Sequence, residues 1–295
     1  MALPNLLIVG AAKSGTTSLH NYLNQHPDIF MCSPKEPHFL INKDIGEQRI
    51  HKGVIDLKDY EDLFVEKDHL KYRGESSVMY LSFPEIAIKN IKHYLADDVK
   101  IIIMLRNPVE RAYSGYQHVR RYNMMENLSF EDALELGEER YQDVKNLTPA
   151  SRYLELGNYY NQVNLFKKGF DNIHIVIYDD YKSNFNEELN KIFDYLGVIR
   201  ITINTEQRYM VGGWEWKSNR IKKLMMQQNL LKLVLRFMIP VKSLRQYIRA
   251  KFQKVNMKKV GAINPETEKW LKEYYKQDVA KLSTLLNRDL NYWTT

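Results

Sequence analysis

The chain has 295 residues, 44% of them hydrophobic and 27% charged, with 13 Gly and 9 Pro. Those proportions exclude a fibrous or disordered chain, and the length suffices for an α/β domain with a sizeable core. The lone Cys32 excludes a disulfide framework and a cysteine zinc cluster, so a reducing compartment is expected.

Residues 5–10 (NLLIVG) are a continuous apolar run closed by glycine, which predicts a strand buried on both faces. Helical spacing follows from Thr16 to Gln25, with Leu19, Tyr22 and Leu23 on one face, and His26-Pro27 ends it. A short strand is expected at 28–32, then a Pro-bounded loop. Residues 100–108 (KIIIMLRNP) predict a buried strand that enters a helix at Pro108, and 172–180 (NIHIVIYDD) predict another. A helix from Asn186 to Leu196, capped by Gly197, comes next, and further helical segments are expected at 58–65, 84–95, 129–137 and 158–169. Strands alternating with helices predict a parallel central sheet covered on both faces. Beyond residue 200 only helices are expected, at 214–238, 241–252 and 265–286. The resulting expectation is one domain over 1–295, an α/β core at 1–200 with a helical C-terminal part at 201–295.

The first residues lack the basic stretch and long apolar run of a secretory signal. The most apolar later stretch, 230–241, is broken by Lys232, Arg236 and Pro240 before reaching the ~20 apolar residues of a bilayer-crossing helix. The expected location is therefore cytoplasmic or peripheral to a membrane. The formal net charge of +7 is unevenly distributed. Residues 217–259 hold thirteen Lys or Arg and no Asp or Glu, leaving 30 basic against 36 acidic residues elsewhere. Such a block concentrates anions, whether a nucleotide, an acidic acceptor or a membrane surface, and it carries no recognised nucleic-acid motif.

The stretch GAAKSGTT (10–17) spaces two glycines as in the nucleotide loop GxxxxGK[ST], but Thr16 stands where that motif has lysine, and the only lysine is Lys13 inside the loop. Loop amides, a helix N-terminus and the Ser14, Thr16 and Thr17 hydroxyls still make an anion nest. A P-loop NTPase also needs an Asp at a neighbouring strand tip to hold Mg²⁺, and Arg106 stands at that tip instead. Ser114 follows about two helical turns later, placed to face the same group as Arg106. These residues suggest two phosphates bound without a metal. The seven histidines other than His38, His118 among them, show no metal-ligand spacing, so no metal site is expected. Two rival readings remain, a P-loop kinase or NTPase and a non-catalytic basic protein binding nucleic acid or a membrane surface through 217–259.

Four stretches, in this order, carry a resemblance: GAAKSGTTSL, KEPHFL, LRNPVERAYSGYQH and NPETEKWLKEYYKQDVAKLSTLLNRDLNYW. Together they are similar to the sulfotransferase family that uses 3'-phosphoadenosine-5'-phosphosulfate (PAPS), particularly bacterial members and heparan sulfate sulfotransferase domains. The resemblance implies that Lys13, Ser14, Gly15, Thr16 and Thr17 hold the 5'-phosphosulfate, with Lys13 neutralising charge on the leaving oxygens. It implies that Arg106 and Ser114 bind the 3'-phosphate. Lys259, in Lys258-Lys259-Val260-Gly261, matches a basic turn that closes over the adenosine end. Glu36 occupies the place of the general base, and His38 can orient the acceptor or share the proton. The glycan enzymes have a catalytic lysine where this chain has Ser76, which argues against a two-lysine mechanism and a heparan-type acceptor. The resemblance thus implies an enzyme moving a sulfuryl group from PAPS to a hydroxyl or amine of a small-molecule or glycan acceptor.

Overall fold

The computed structural model describes residues 3–50, 53–96, 98–206, 212–226, 239 and 241–295. Strand β1 (Leu6–Gly10) is buried along its whole length. Its alternate side chains feed opposite faces of the sheet: Leu7 and Val9 join one hydrophobic cluster, Leu6 and Ile8 the other. After it come α1 (Thr16–Leu23), β2 (Ile29–Met31), α2 (Phe39–Ile45), α3 (Leu57–Asp62), β3 (Tyr72–Ser76), α4 (Pro84–Tyr94), β4 (Lys100–Leu105) and α5 (Pro108–Tyr122). The first half of the fold is thus a strand and helix alternation, and it continues through α6 (Phe130–Glu135), α7 (Gly137–Asp143), α8 (Tyr159–Gly169), β5 (Ile173–Ile177), α9 (Tyr178–Ser183) and α10 (Phe185–Leu196).

The five strands form one parallel sheet in the order β2-β3-β1-β4-β5. From β1 the chain runs to one side, through β2 and β3, and then crosses to β4 and β5 on the other. The crevice at the carboxyl ends of β1 and β4 is therefore the switch point of the sheet, the place where open α/β sheets take their ligands. Both loops expected to hold anions, after β1 and after β4, open there. The junction is close-packed: a Cβ on Gly10 would lie 2.6 Å from the Cβ of Leu81. The amide of Ala11 donates to the Met104 carbonyl at 2.7 Å, tying the β1 loop to β4.

No strand is predicted at 72–76, yet β3 lies there between β2 and β1. Its sequence, YRGES, carries two charges and no apolar alternation, so hydrophobic periodicity cannot reveal it. Burial of its carboxylate is compensated instead by hydroxyls. Tyr60 and Tyr80 both donate to Glu75 Oε1, at 2.6 and 2.7 Å, and Ser77 donates to Oε2 at 2.6 Å. The predicted strand at 172–180 is shorter than expected. It stops at Ile177, and Tyr178–Ser183 turn into α9 with Asp179 and Asp180 in the first turn, where the helix dipole favours acids.

The expectation of helices alone beyond residue 200 is corrected by a two-stranded antiparallel ribbon, β6 (Trp214–Trp216) against β7 (Met257–Lys259). Three-residue strands forty residues apart leave no periodic signal, and their pairing is supported by the cross-strand Glu215–Lys258 ion pair at 3.1 Å. Between them lie α11 (Asn219–Met226) and the basic helix Lys242–Val255. Most of the apolar stretch 230–241 and the second half of the helix predicted at 214–238 lie outside the described residues. The long helix Pro265–Leu286 covers the span predicted for it. It begins as its sequence directs, with the Asn264 side chain capping the Glu266 amide at 2.9 Å and proline at the first position.

Candidate active site

The loop after β1 reverses sharply. Lys13 sits at φ 69° and Gly15 at φ 93°, and Gly15 serves as the N-cap of α1. Only glycine takes the second conformation without strain, and a Cβ there would also press on the Tyr178 ring at 3.1 Å. No described side chain caps α1, so its first amides face the opening with the positive end of the helix dipole behind them. The Ser14 hydroxyl is buried with no hydrogen-bond partner among the described residues. A buried orphan donor beside a free helix N-terminus fits a multiply charged anion such as a phosphosulfate.

The second wall comes from β4 and α5. Proline at the first helical position and the Asn107 side chain, which accepts from the Val109 amide at 2.9 Å, start α5 immediately after the strand. Arg106 is thereby held at the strand tip. Its Nη1 donates to the Lys13 carbonyl at 3.3 Å, its guanidinium lies 4.9 Å from the Tyr178 ring centre, and Nε and Nη2 both bind Glu110 Oε2, at 3.1 and 2.6 Å. Arg106 therefore buttresses the lysine loop and faces the same space. Ser114 lies two turns along α5, as its spacing predicts, and lines the cleft with Arg106.

The third wall is the segment after β2. Glu36, at φ 66°, and His38, at φ 53°, are both left-handed. Side chains in that region cost about 1–3 kcal/mol each and persist where surrounding bonds enforce them. Here those bonds come from the end of β3: the Glu36 amide donates to the Ser76 carbonyl at 3.1 Å, and the His38 amide donates to Ser77 Oγ at 3.0 Å. Lys35 Nζ lies 2.5 Å from Glu36 Oε1 and His38 Nε2 lies 3.5 Å from Oε2. Desolvation raises the Glu36 pKa, but Lys35 and His38 more than reverse that and hold the carboxyl well below the ordinary carboxylate range. Glu36 is thus ionised at neutral pH.

These walls enclose a cleft of about 1220 Å³. Lys13, Gly15, Thr16 and Thr17 line it from one side, Arg106 and Ser114 from another, and Glu36 closes it. His38 stands behind Glu36, buried, with Nδ1 unpartnered among the described residues. Lys259 is placed differently from the rest. It lies exposed at the end of β7 and does not line the cleft. The turn that follows it does approach, because Tyr113 Oη, on α5 next to Ser114, donates to the Gly261 carbonyl at 3.0 Å.

Burial lowers the Lys13 pKa to about 8, and the Arg121 guanidinium is the next cause, with Arg106 and Lys35 adding to it and Glu36 opposing. His118 falls to about 3, through burial first and then Lys13 and Arg121. Neither Arg121 nor His118 is expected from the sequence, yet both sit within electrostatic reach of Lys13. His118 lines the cleft with its Nδ1 buried and unpartnered among the described residues. One signal was available: His118 is four residues after Ser114, on the same face of α5. Ser76, which stands where the glycan enzymes have lysine, is bound by His20 Nδ1 at 2.9 Å and so faces α1. Past Arg121 a second pocket of about 330 Å³ is lined by Arg120, Trp216 and Lys217, and it shares Tyr113 and Gln117 with the cleft.

The C-terminal segment completes the rim. Trp293 is buried, donates from Nε1 to Asp179 at 2.8 Å, and its carbonyl receives Asn107 Nδ2 at 3.2 Å.

The sequence profile of the sulfotransferase domain matches residues 3–229. A crystal structure of a sulfotransferase from Alicyclobacillus acidocaldarius is 27% identical and superposes over the full length of both chains with a TM-score of 0.75. Mouse carbohydrate sulfotransferase 15 is 26% identical over 248 residues, which cover 66% of this chain and 44% of that protein. The bifunctional heparan sulfate N-deacetylase/N-sulfotransferase 1 of Xenopus tropicalis is 29% identical over 184 residues, 60% of this chain and 20% of that one. The chain thus spans less than half the length of these two curated relatives. Its profile match, its parallel sheet and the cleft at the β1/β4 switch point agree, and the chain belongs to the sulfotransferase family.

Proposed function

We propose that the protein transfers a sulfuryl group from PAPS to a hydroxyl or amine of a carbohydrate or small-molecule acceptor. The observation that carries this reading is the meeting of the Lys13 loop, the Arg106/Ser114 strand end and the ionised Glu36 in one cleft. The reading treats residues 1–295 as one catalytic unit. In it, the β1 loop and the α1 N-terminus hold the 5'-phosphosulfate, and Arg106 and Ser114 hold the 3'-phosphate. Glu36 takes the acceptor proton as the acceptor oxygen or nitrogen forms its bond to sulfur. The sulfur–oxygen bond to the 5'-phosphate breaks with its electron pair going to that oxygen, where Lys13 stabilises the developing charge. His38, in contact with Glu36, orients the carboxylate or shares the proton. Lys259 serves the adenosine end only if its side chain swings from the exposed face of β7.

A carbohydrate acceptor is supported by the names of the two curated relatives and by the second pocket. Its aromatic walls suit a sugar ring, and Arg120 and Lys217 suit acid groups on it.

Adenosine 3',5'-bisphosphate without Mg²⁺ is expected to raise the melting temperature, and at about 100 times its Kd to add about 2.7 kcal/mol of stability. ADP should do far less. Equal or greater stabilisation by Mg-ATP would overturn the assignment in favour of a P-loop kinase or NTPase. Arg106→Ala should weaken the bisphosphate by about 1.5–3 kcal/mol in isothermal titration, the range for hydrogen bonds to charged groups. Glu110→Gln should tighten it several-fold, since Glu110 holds two of the Arg106 nitrogens that a phosphate would recruit. An unchanged affinity in both variants would remove Arg106 from the phosphate site.

A further inference from the structure

The basic helix Lys242–Val255 has an apolar face that stays exposed among the described residues. None of its described side chains is buried. Stepping 100° per residue, Val241, Leu244, Ile248, Phe252 and Val255 fall within an arc of about 80°. All five are exposed, from 43% for Ile248 and Phe252 to 65% for Val255. Arg245 and Arg249 follow one border of this stripe, and Lys251 and Lys254 lie along the other. Gln253, Ser243 and Ala250 occupy the opposite side. The neighbouring sequence reinforces the charge, with no acidic residue from 217 to 259. The helix is nevertheless anchored, because Lys217 Nζ donates to the Val255 carbonyl at 2.7 Å and the Lys217 amide to the Asn256 carbonyl at 2.9 Å.

A fourteen-residue helix is marginal in water by itself, and an apolar stripe on an isolated helix is normally covered. We propose that this helix lies in the plane of an anionic phospholipid bilayer, its apolar stripe in the interface and its bordering cations on the headgroups. An apolar stripe flanked on both edges by Lys and Arg is the pattern of interfacial helices. Nucleic acid would recruit the cations but leave the stripe in water. A second copy of the chain would cover the stripe but bring the two cationic borders together. No helix among the described residues is long and apolar enough to cross a membrane.

The test is co-sedimentation of the full chain with phosphatidylcholine vesicles, with and without about one third phosphatidylserine, at about 0.1 M salt. Partitioning onto the anionic vesicles should exceed that onto neutral ones by at least about tenfold, and should fall as salt rises. Leu244→Gln/Ile248→Gln/Phe252→Gln should abolish it, and Arg249→Gln/Lys254→Gln should weaken it about tenfold, with melting temperature unchanged in both. Absence of sedimentation with anionic vesicles overturns the proposal. So does retention of a duplex oligonucleotide without vesicle binding. A concentration-dependent dimer in analytical ultracentrifugation that the triple glutamine variant abolishes, with no vesicle binding, assigns the stripe to self-association and overturns it as well.

Discussion

Glu36→Gln is expected to slow sulfuryl transfer from labelled PAPS about 10³-fold, the middle of the range for loss of a general base. Binding of adenosine 3',5'-bisphosphate should be unchanged, because the amide keeps the shape of the side chain and the proposed phosphate contacts lie on the other two walls. Since Lys35 and His38 keep the Glu36 carboxyl below the ordinary range, the acid limb of the pH–rate profile should lie below pH 4.5, the ordinary glutamate value. The alkaline limb belongs to Lys13. Its ammonium is present below about pH 8 in the free enzyme and lost as pH rises through that value, so kcat/KM should fall there. With the donor bound, the nearby anion favours the ammonium and the limb in kcat should move to higher pH. Near-normal turnover of Glu36→Gln would transfer the role of base to another group, with His38 the next to test.

Glu75→Ala is expected to be the most destabilising single change in the sheet, by about 3 kcal/mol or more in urea unfolding. It leaves the hydroxyls of Tyr60, Ser77 and Tyr80 without their shared acceptor in a fully buried site, at about 1–3 kcal/mol for each group left unpaired. Glu75→Gln should be milder. Burial raises the Glu75 pKa, against the pull of its three hydroxyl partners, so the fold favours the neutral acid. The stability lead of the native chain over Glu75→Gln should therefore be full below pH 4.5 and shrink as pH rises through the raised value. The same substitutions should disturb catalysis through geometry, because Glu75 holds Ser77, and Ser77 holds the His38 amide. A stability equal to wild type in Glu75→Ala would show that the three hydroxyls find other partners.

The strands that the sequence reveals are those whose burial is apolar. Apart from Gly10 and Lys100 at their ends, β1 and β4 are runs of Leu, Ile, Val and Met because both faces of a parallel strand are covered. The helices Pro108–Tyr122 and Pro265–Leu286 announce themselves by proline at the first turn and an asparagine cap. β3 is invisible by the same logic. Its carboxylate is satisfied by Ser77 and Tyr80, just beyond the strand, together with Tyr60 brought in from α3, a combination that periodicity does not show. The ribbon of β6 and β7 escapes notice because each strand is three residues long and its partner is forty residues away.

At the candidate site, local sequence was enough to single out the Lys13 loop, Arg106 and Ser114, since each lies in a short motif whose chemistry is local: a glycine turn into a helix, a cation at a strand tip and a hydroxyl two turns beyond it; Glu36 and His38 were legible only through the family resemblance of KEPHFL. Their convergence is a property of the fold. The order β2-β3-β1-β4-β5 places the ends of β1 and β4 side by side, and the β3 end fastens Glu36 and His38 across from them. Arg121 and His118 became visible only through proximity, as charges and buried nitrogens around Lys13. The sequence alone determined the fold class and the candidate anion loops, because these rest on periodicity and short-range spacing, and it pointed to the family through the resemblance of four motif stretches. The tertiary structure decided which of those residues share one cleft, where Lys259 stands, and which described helix face stays exposed, because these depend on strand order and burial.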